Sequence, residues 1–196
     1  VSEDHKVGLA LEKYNAQIKS VSYEVRSLDM SRLIEGGDDL QAEDDGKYLH
    51  ISLTLKDLLT QGEEYLLVLK VQTEDQDLVR FYSILTYLGT NHVQDCVDFA
   101  QRFHEMTLTG DSDGVLNYLE QDGSMDGKNL GYINIHSRSG PVTWGDMQVE
   151  QIGDPSLRFT ELESDITALT MEYQVTNTET SEQYQVREAY RLRYTS

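Results

Sequence analysis

The sequence predicts two domains: an all-β sandwich over residues 1–88, then an α+β domain over residues 89–196. Three observations carry this. Up to Leu88 the apolar residues alternate with a period of two, the mark of strands with one buried face. Between two such runs stands Leu59-Thr60-Gln61-Gly62-Glu63-Glu64-Tyr65. A Leu-x-x-Gly-x-x-Tyr turn of this kind is the pattern of a tyrosine corner, where a buried Tyr early in a strand bonds back to the chain leaving the previous one. Beyond Gly89-Thr90-Asn91 the period lengthens to that of a helix before strands return.

In the first domain Val7, Leu9 and Leu11 form one alternating set, and Val21, Tyr23 and Val25 a second. Leu49, Ile51, Leu53 and Leu55 make a third, Tyr65, Leu67, Leu69 and Val71 a fourth, and residues 78–87 a fifth. Glu35-Gly36-Gly37-Asp38-Asp39, Glu43-Asp44-Asp45-Gly46 and Glu74-Asp75-Gln76-Asp77 read as polar loops. Short strands joined by such turns predict a sandwich.

In the second domain Val93, Cys96, Val97, Ala100 and Phe103 recur at helical spacing. They predict a helix over about 92–106, with Asn91 as its N-cap and Gln94 completing the cap. Val115, Leu116 and Leu119 predict a second helix over 112–120. Strands are expected at 132–137, 142–152, 157–162, 166–177 and 182–195, the last two a hairpin around Thr178-Glu179-Thr180-Ser181. Helices followed by long antiparallel strands predict two helices packed on a curved antiparallel sheet.

Composition narrows the function classes. Hydrophobic residues make up 38% of the 196 residues, enough for packed cores. Sixteen Lys and Arg against 35 Asp and Glu leave a net charge of −19, which repels phosphate backbones and anionic headgroups. Nucleic acid and anionic membrane surfaces are therefore poor partners. A basic protein or a cell-envelope component is compatible. Cys96 is the one cysteine, so no intrachain disulfide forms. No apolar run reaches the ~18 residues of a membrane span, so this stretch is not expected to insert into a bilayer directly. The chain opens at Val1 in what already reads as structure, so we expect a fragment whose export signal or anchor lies upstream. Oligomeric state is not legible.

Residues 1–88 resemble a fibronectin type III or related immunoglobulin-like module, an incomplete one, since the match lacks an obvious first strand, which is expected upstream of Val1. Val21-Ser22-Tyr23-Glu24-Val25 is similar to its third strand, residues 59–65 to its tyrosine corner, and residues 78–85 to its last strand. The order of elements in the second domain resembles an NTF2-like cone or a cystatin-like sheet. Val142-Thr143-Trp144-Gly145-Asp146 and Glu188-Ala189-Tyr190-Arg191-Leu192-Arg193-Tyr194 resemble membrane-anchored surface proteins of Gram-positive clostridia. That resemblance implies a place outside the cell or on its surface, and no chemistry. The expectation is a non-enzymatic interaction or regulatory module at the bacterial cell envelope, contacting a protein or envelope component and needing no cofactor.

Candidate sites are few. Asp122, Ser124 and Asp126 stand at alternate positions with Gly127 next, as in the first half of a calcium loop. The second half has Ile133 where a bidentate Glu is required, so a solvated acidic turn is the expected reading. Five scattered histidines make no metal-ligand spacing. Gly-x-Ser-x-Gly and glycine-rich phosphate loops are absent. The anomaly is Glu188. Strand alternation sets it on one face with Tyr184, Val186, Tyr190, Leu192 and Tyr194, opposite Arg187, Arg191 and Arg193. A carboxylate on an apolar face must be paired, protonated or wet. Two readings stay open: a bulge or rim position reaching solvent or an Arg, or a ligand-binding or acid–base pocket formed by Glu188, Tyr190, His136 and Trp144.

Overall fold

The computed structural model of the protein describes residues 1, 3–38, 40–56, 59–75, 78–123 and 130–195. Its regular structure is mostly antiparallel sheet with few helices, and the chain divides into two compact units, Val1–Asn91 and His92–Ser196.

The first unit contains β1 (Lys6–Glu12), β2 (Ile18–Ser27), β3 (Leu33–Gly37), β4 (Gln41–Asp44), β5 (Tyr48–Thr54), β6 (Glu64–Thr73) and β7 (Leu78–Thr86). They form a four-stranded sheet in the order β3-β2-β6-β7 and a three-stranded sheet in the order β1-β5-β4. The alternation that predicts the strands also decides what they bury. Val25 on β2, Ile51 and Leu53 on β5, and Leu67 on β6 are withdrawn from water into one apolar cluster shared by both sheets. Each such side chain stabilises the fold by about 1.5–3 kcal/mol. A slip of one residue would turn the whole set outward, so the shared core also fixes register.

The turn before β6 holds a buried Tyr65, whose hydroxyl accepts the Thr60 backbone N–H at 2.8 Å. Gly62 supplies the positive φ of 82° that this turn requires. Its N–H donates to the Tyr87 carbonyl, tying the corner to the end of β7.

Two segments expected as loops contain strands instead. Residues 33–37 form β3 and residues 41–44 form β4. Glycine looked like a breaker at 36, yet it is what admits β3. A Cβ at Gly36 would stand 2.8 Å from the Tyr23 carbonyl, so the backbone approaches β2 there as only glycine can. The pairing turns Glu35 into the core, where it accepts the Tyr23 hydroxyl at 3.0 Å and the Lys56 N–H at 2.8 Å. Residues 39, 76 and 77 of the expected loops lie outside the described residues.

The second unit contains α1 (Val93–Thr109), α2 (Ser112–Leu116), α3 (Ser139–Val142), β8 (Val149–Leu162), β9 (Ile166–Asn177) and β10 (Gln183–Arg193). The sheet order is β10-β9-β8, antiparallel throughout. α1 stops at Gly110, whose left-handed conformation closes the helix. Its N-cap is His92, with no side-chain cap, and not Asn91. The Asn91 amide turns back to the Gly89 carbonyl, while Gln94 bonds Asp98.

α2 is shorter than the expected 112–120. Asp111 caps it through the Gly114 N–H, but tight bonds from Tyr118 to Val115 and from Leu119 to Leu116 end it in a turn. The expected strand at 132–137 is a turn as well. Asn134 accepts the His136 N–H with its side chain, and Ser137 bonds back to it, so local side-chain bonds replace a ladder. At 142–152 the strand begins only at Val149. Ser139-Gly140-Pro141-Val142 makes a helical turn, and Thr143 bonds back to Ser139 and Gly140. Strands expected separately at 142–152 and 157–162 merge into β8, with a register shift between Ile152 and Ser156 where Gly153 takes a φ of 70°. Among the described residues no helix is long and apolar enough to cross a membrane.

Candidate functional site

The chemistry of the second unit gathers where α1 meets the sheet. β9 alternates cleanly, with Leu169, Met171, Tyr173 and Val175 all buried. β10 pairs so that Val186 lies opposite Tyr173, Glu188 opposite Met171 and Tyr190 opposite Leu169. The buried stripe of α1 runs through Cys96, Ala100, His104 and Thr107, at spacings of four, four and three. That stripe brings His104 to Glu188.

Glu188 is engaged on both oxygens. Tyr173 donates its hydroxyl to Oε1 at 2.6 Å, and His104 Nδ1 lies 3.2 Å from the same atom. Tyr190 donates to Oε2 at 2.5 Å. The His104 side chain is 9% exposed and that of Glu188 18%. On the far side of the imidazole, Nε2 lies 2.7 Å from Gln151 Oε1, and Gln151 donates its amide N–H to the Gly153 carbonyl at 2.7 Å. That second bond orients the Gln151 amide with its oxygen toward the ring. Both ring nitrogens thus face oxygen acceptors, and only the imidazolium can donate to both. The Tyr173 ring adds an edge-on contact, 4.5 Å from the imidazole centroid.

Charge states follow from this geometry. Burial by itself would lower the His104 pKa, but the hydrogen bond and charge of Glu188, with Gln151, outweigh it and raise the value. Burial would raise the Glu188 pKa, yet hydrogen bonds from His104, Tyr173 and Tyr190 together hold the carboxyl below its ordinary range. Burial and the adjacent carboxylate push both tyrosine hydroxyls upward. The result is an ion pair with two neutral donors. A carboxylate with a depressed pKa is a weak base, and an imidazolium is no base at all, so proton abstraction is disfavoured in this arrangement.

Of the residues singled out from sequence, Glu188 and Tyr190 come together by a direct bond. Trp144 packs on the same apolar cluster, against Met171, Tyr173 and Val175, from a turn where its own φ is 68°. His136 is placed elsewhere. Its Nδ1 bonds the Glu120 carbonyl at 2.9 Å and lies 3.5 Å from Asp122. Ser124 and Asp126 of the calcium-like loop lie outside the described residues, among which no group of three or more His, Cys, Asp or Glu is placed to hold a metal.

Sequence reasoning missed His104, Tyr173 and Gln151. The helical stripe from Cys96 through Ala100 reaches His104 if carried one more turn, and β9 alternation reaches Tyr173. Gln151 required the β8 register and carried no signal of its own. A shallow concavity of about 550 Å3 lies in the first unit, lined by Asp29, Arg32, Glu63 and Glu64 among others. Its polar, open lining gathers none of the groups just described.

The chain matches no family model and no curated protein. A solved structure to which part of it is similar is the crystal structure of CopC from Methylosinus trichosporium OB3b. The two share 17% identity over 45% of this chain and 81% of the other, with a TM-score of 0.32. So loose a superposition assigns neither a fold family nor a function.

Proposed function

We propose that the chain is a non-catalytic interaction or regulatory module of the bacterial cell envelope, exposed outside the cell, and that it contacts a protein or envelope component through its first unit. The observation that carries this is the outward face of β7. Tyr82 and Ile84 are 57% and 53% exposed, and they stand across from the buried Val68 and the half-buried Leu66 on β6. On a chain of net charge −19, large apolar side chains kept together in water mark a contact surface.

Other observations support the same reading. The strand orders β3-β2-β6-β7 and β1-β5-β4, with the buried and bonded Tyr65, favour an immunoglobulin-like module. The helix α1 on a three-stranded antiparallel sheet agrees with a cystatin-like or NTF2-like second unit. Saturation of Glu188 and His104 by each other and their neighbours favours a structural role there. The resemblance to clostridial surface proteins supplies the envelope.

The test is cosedimentation of the chain with intact Gram-positive cells and with purified sacculi. Tyr82→Ser combined with Ile84→Ser should leave the melting temperature in place and abolish binding. Equal binding by the variant, or none by the native chain, would sink the proposal.

A second reading places a small ligand at Glu188. It is favoured by the partly exposed rings of Phe103, 6.2 Å from the Tyr190 centroid, and of Tyr118, 6.1 Å from that of Phe103. Under it, Glu188→Gln would alter ligand binding while keeping the fold. Under the structural reading, the same change lowers stability alone.

A further inference from the structure

On the outward face of the four-stranded sheet, Glu24 of β2, Val68 of β6 and Tyr82 of β7 stand side by side in one row. Arg26, Leu66 and Ile84 form the row on one side of it, and Lys70 stands opposite Arg80 in the row on the other. Alternation keeps these side chains off the core, which takes Val25, Leu67 and Leu69 from the positions between them. The three rows thus hold an apolar strip bordered by three cations and one carboxylate. The whole chain has 16 cationic residues against 35 acidic ones, so this face reverses the sign of the molecule.

The charges are set against the chain's own stability. Glu24 serves two of the cations at once: Lys70 Nζ donates to Oε1, and Arg26 Nε donates to Oε2 at 2.7 Å. Arg80 is exposed and placed directly across from Lys70. Like charges directly opposite each other destabilise an antiparallel pair. A negative group arriving over Lys70 and Arg80 turns that repulsion into attraction. The row of Tyr82 lies two residues along the strand, about 7 Å away. A ligand that fits both rows carries a negative group and an apolar group at that separation. Neighbouring side chains on one face of a polypeptide do this, and a plain polyanion does not.

We propose that this face takes a partner protein that sets a carboxylate against Lys70 and Arg80 and an apolar side chain on Tyr82 and Ile84. This rests on the reading of the face as a contact surface, and it names the chemistry of the partner. The apolar contact supplies affinity. The cation pair selects an acidic partner over a basic one, the opposite of what the net charge of −19 would choose. The field of the remaining chain is screened beyond ~10 Å at 0.1 M salt, so the choice is made at contact.

The probe is a short acetylated peptide of leucine and glutamate, set against the same peptide with lysine for glutamate. The glutamate peptide should shift the amide signals of Lys70, Arg80 and Tyr82, and the lysine peptide should leave them in place. Arg80→Glu converts the like-charged pair into a cross-strand ion pair with Lys70. It should hold or raise the melting temperature while weakening the glutamate peptide by about tenfold or more. Arg80→Gln, which only removes the charge, should weaken it in the same direction. No shift with either peptide, or shifts with the lysine peptide alone, would overturn the proposal. So would undiminished binding by both variants, or a lower melting temperature in Arg80→Glu, which would mean that the Arg80 charge serves the fold. Cell binding separates this from the reading beneath it. If Tyr82→Ser with Ile84→Ser abolishes cosedimentation and Arg80→Glu sediments like the native chain, the contact surface stands and its acidic partner falls.

Discussion

Both units withdraw a glutamate from water against tyrosine, and the two are held in different ways. In the first unit Glu35 accepts the Tyr23 hydroxyl and the Lys56 N–H, a neutral side chain and a neutral peptide group. In the second unit Glu188 accepts two tyrosine hydroxyls and faces an imidazolium that comes from 84 residues away. Glu35 fastens β3 and the exit of β5 to β2. Glu188 fastens a helix to a sheet, and its partner titrates. The first latch has only neutral donors; the second includes a cation. The comparison teaches that a buried carboxylate on an apolar strand face is not by itself a sign of chemistry. What decides is whether its donors are already in place.

The largest expected effect breaks the second latch. Glu188→Ala leaves His104 facing a vacated acceptor and should cost about 3 kcal/mol, the low end for a broken buried ion pair because the carboxylate keeps some solvent contact. Trp144 is the chain's one tryptophan and packs on that unit's core, so urea unfolding followed by its fluorescence reads the loss there. A cost under ~1 kcal/mol would show that the pair contributes little.

Glu35→Ala should cost about 2 kcal/mol, by removing a buried acceptor from one hydroxyl and one peptide N–H. Amide exchange along β2 and β3 measures it. A cost under ~1 kcal/mol would mean that the two bonds to Glu35 contribute little.

The third test sharpens the contrast. The His104 pKa lies above its ordinary 6.5 in the fold, so its contribution is full below 6.5 and is lost as pH rises through the folded value. The Glu188 pKa lies below its ordinary 4.5, so its contribution is full above 4.5 and is lost as pH falls through the folded value. Glu188→Gln keeps the shape and removes the charge, at about 1–2 kcal/mol. The stability gap between native chain and variant should be widest between these ordinary values and narrow on either side, by urea titration across pH. A flat gap would mean that His104 is neutral.

Smallest is Tyr65→Phe, which removes only the bond from Thr60 and should cost about 1 kcal/mol. Slowed or unchanged amide exchange at Thr60 in that variant would mean the corner does not depend on its hydroxyl.

What could be read from the sequence divides along physical lines. β9 runs over 166–177 as its alternation predicts, because both ends of the pattern are marked by polar turns. The facing of Glu188 with Val186 and Tyr190 was legible for the same reason. β3 and β4 were not, since their residues look like loop material and become strands only once β2 and β5 offer edges. The turns at 134–137 and 139–145 defeated pattern reading because single side chains of Asn134 and Thr143 outbid a weak strand propensity. Among five scattered histidines His104 stands out by no spacing. It lies five residues inside α1, and its partner is set by a packing contact that no local window contains.

Cys96 lies on the same buried stripe of α1 as His104 and is the chain's one thiol. A reagent such as an aromatic disulfide can reach it only when α1 lifts from the sheet or the unit unfolds. The native chain therefore carries its own clock for that opening. Labelling rate at a single sulfur reports how often the helix leaves its seat, without a mutation or a dye added beforehand. Slow labelling that tracks global unfolding would mean that helix and sheet let go together. Fast labelling, insensitive to denaturant, would mean that the helix breathes while the strands stay paired.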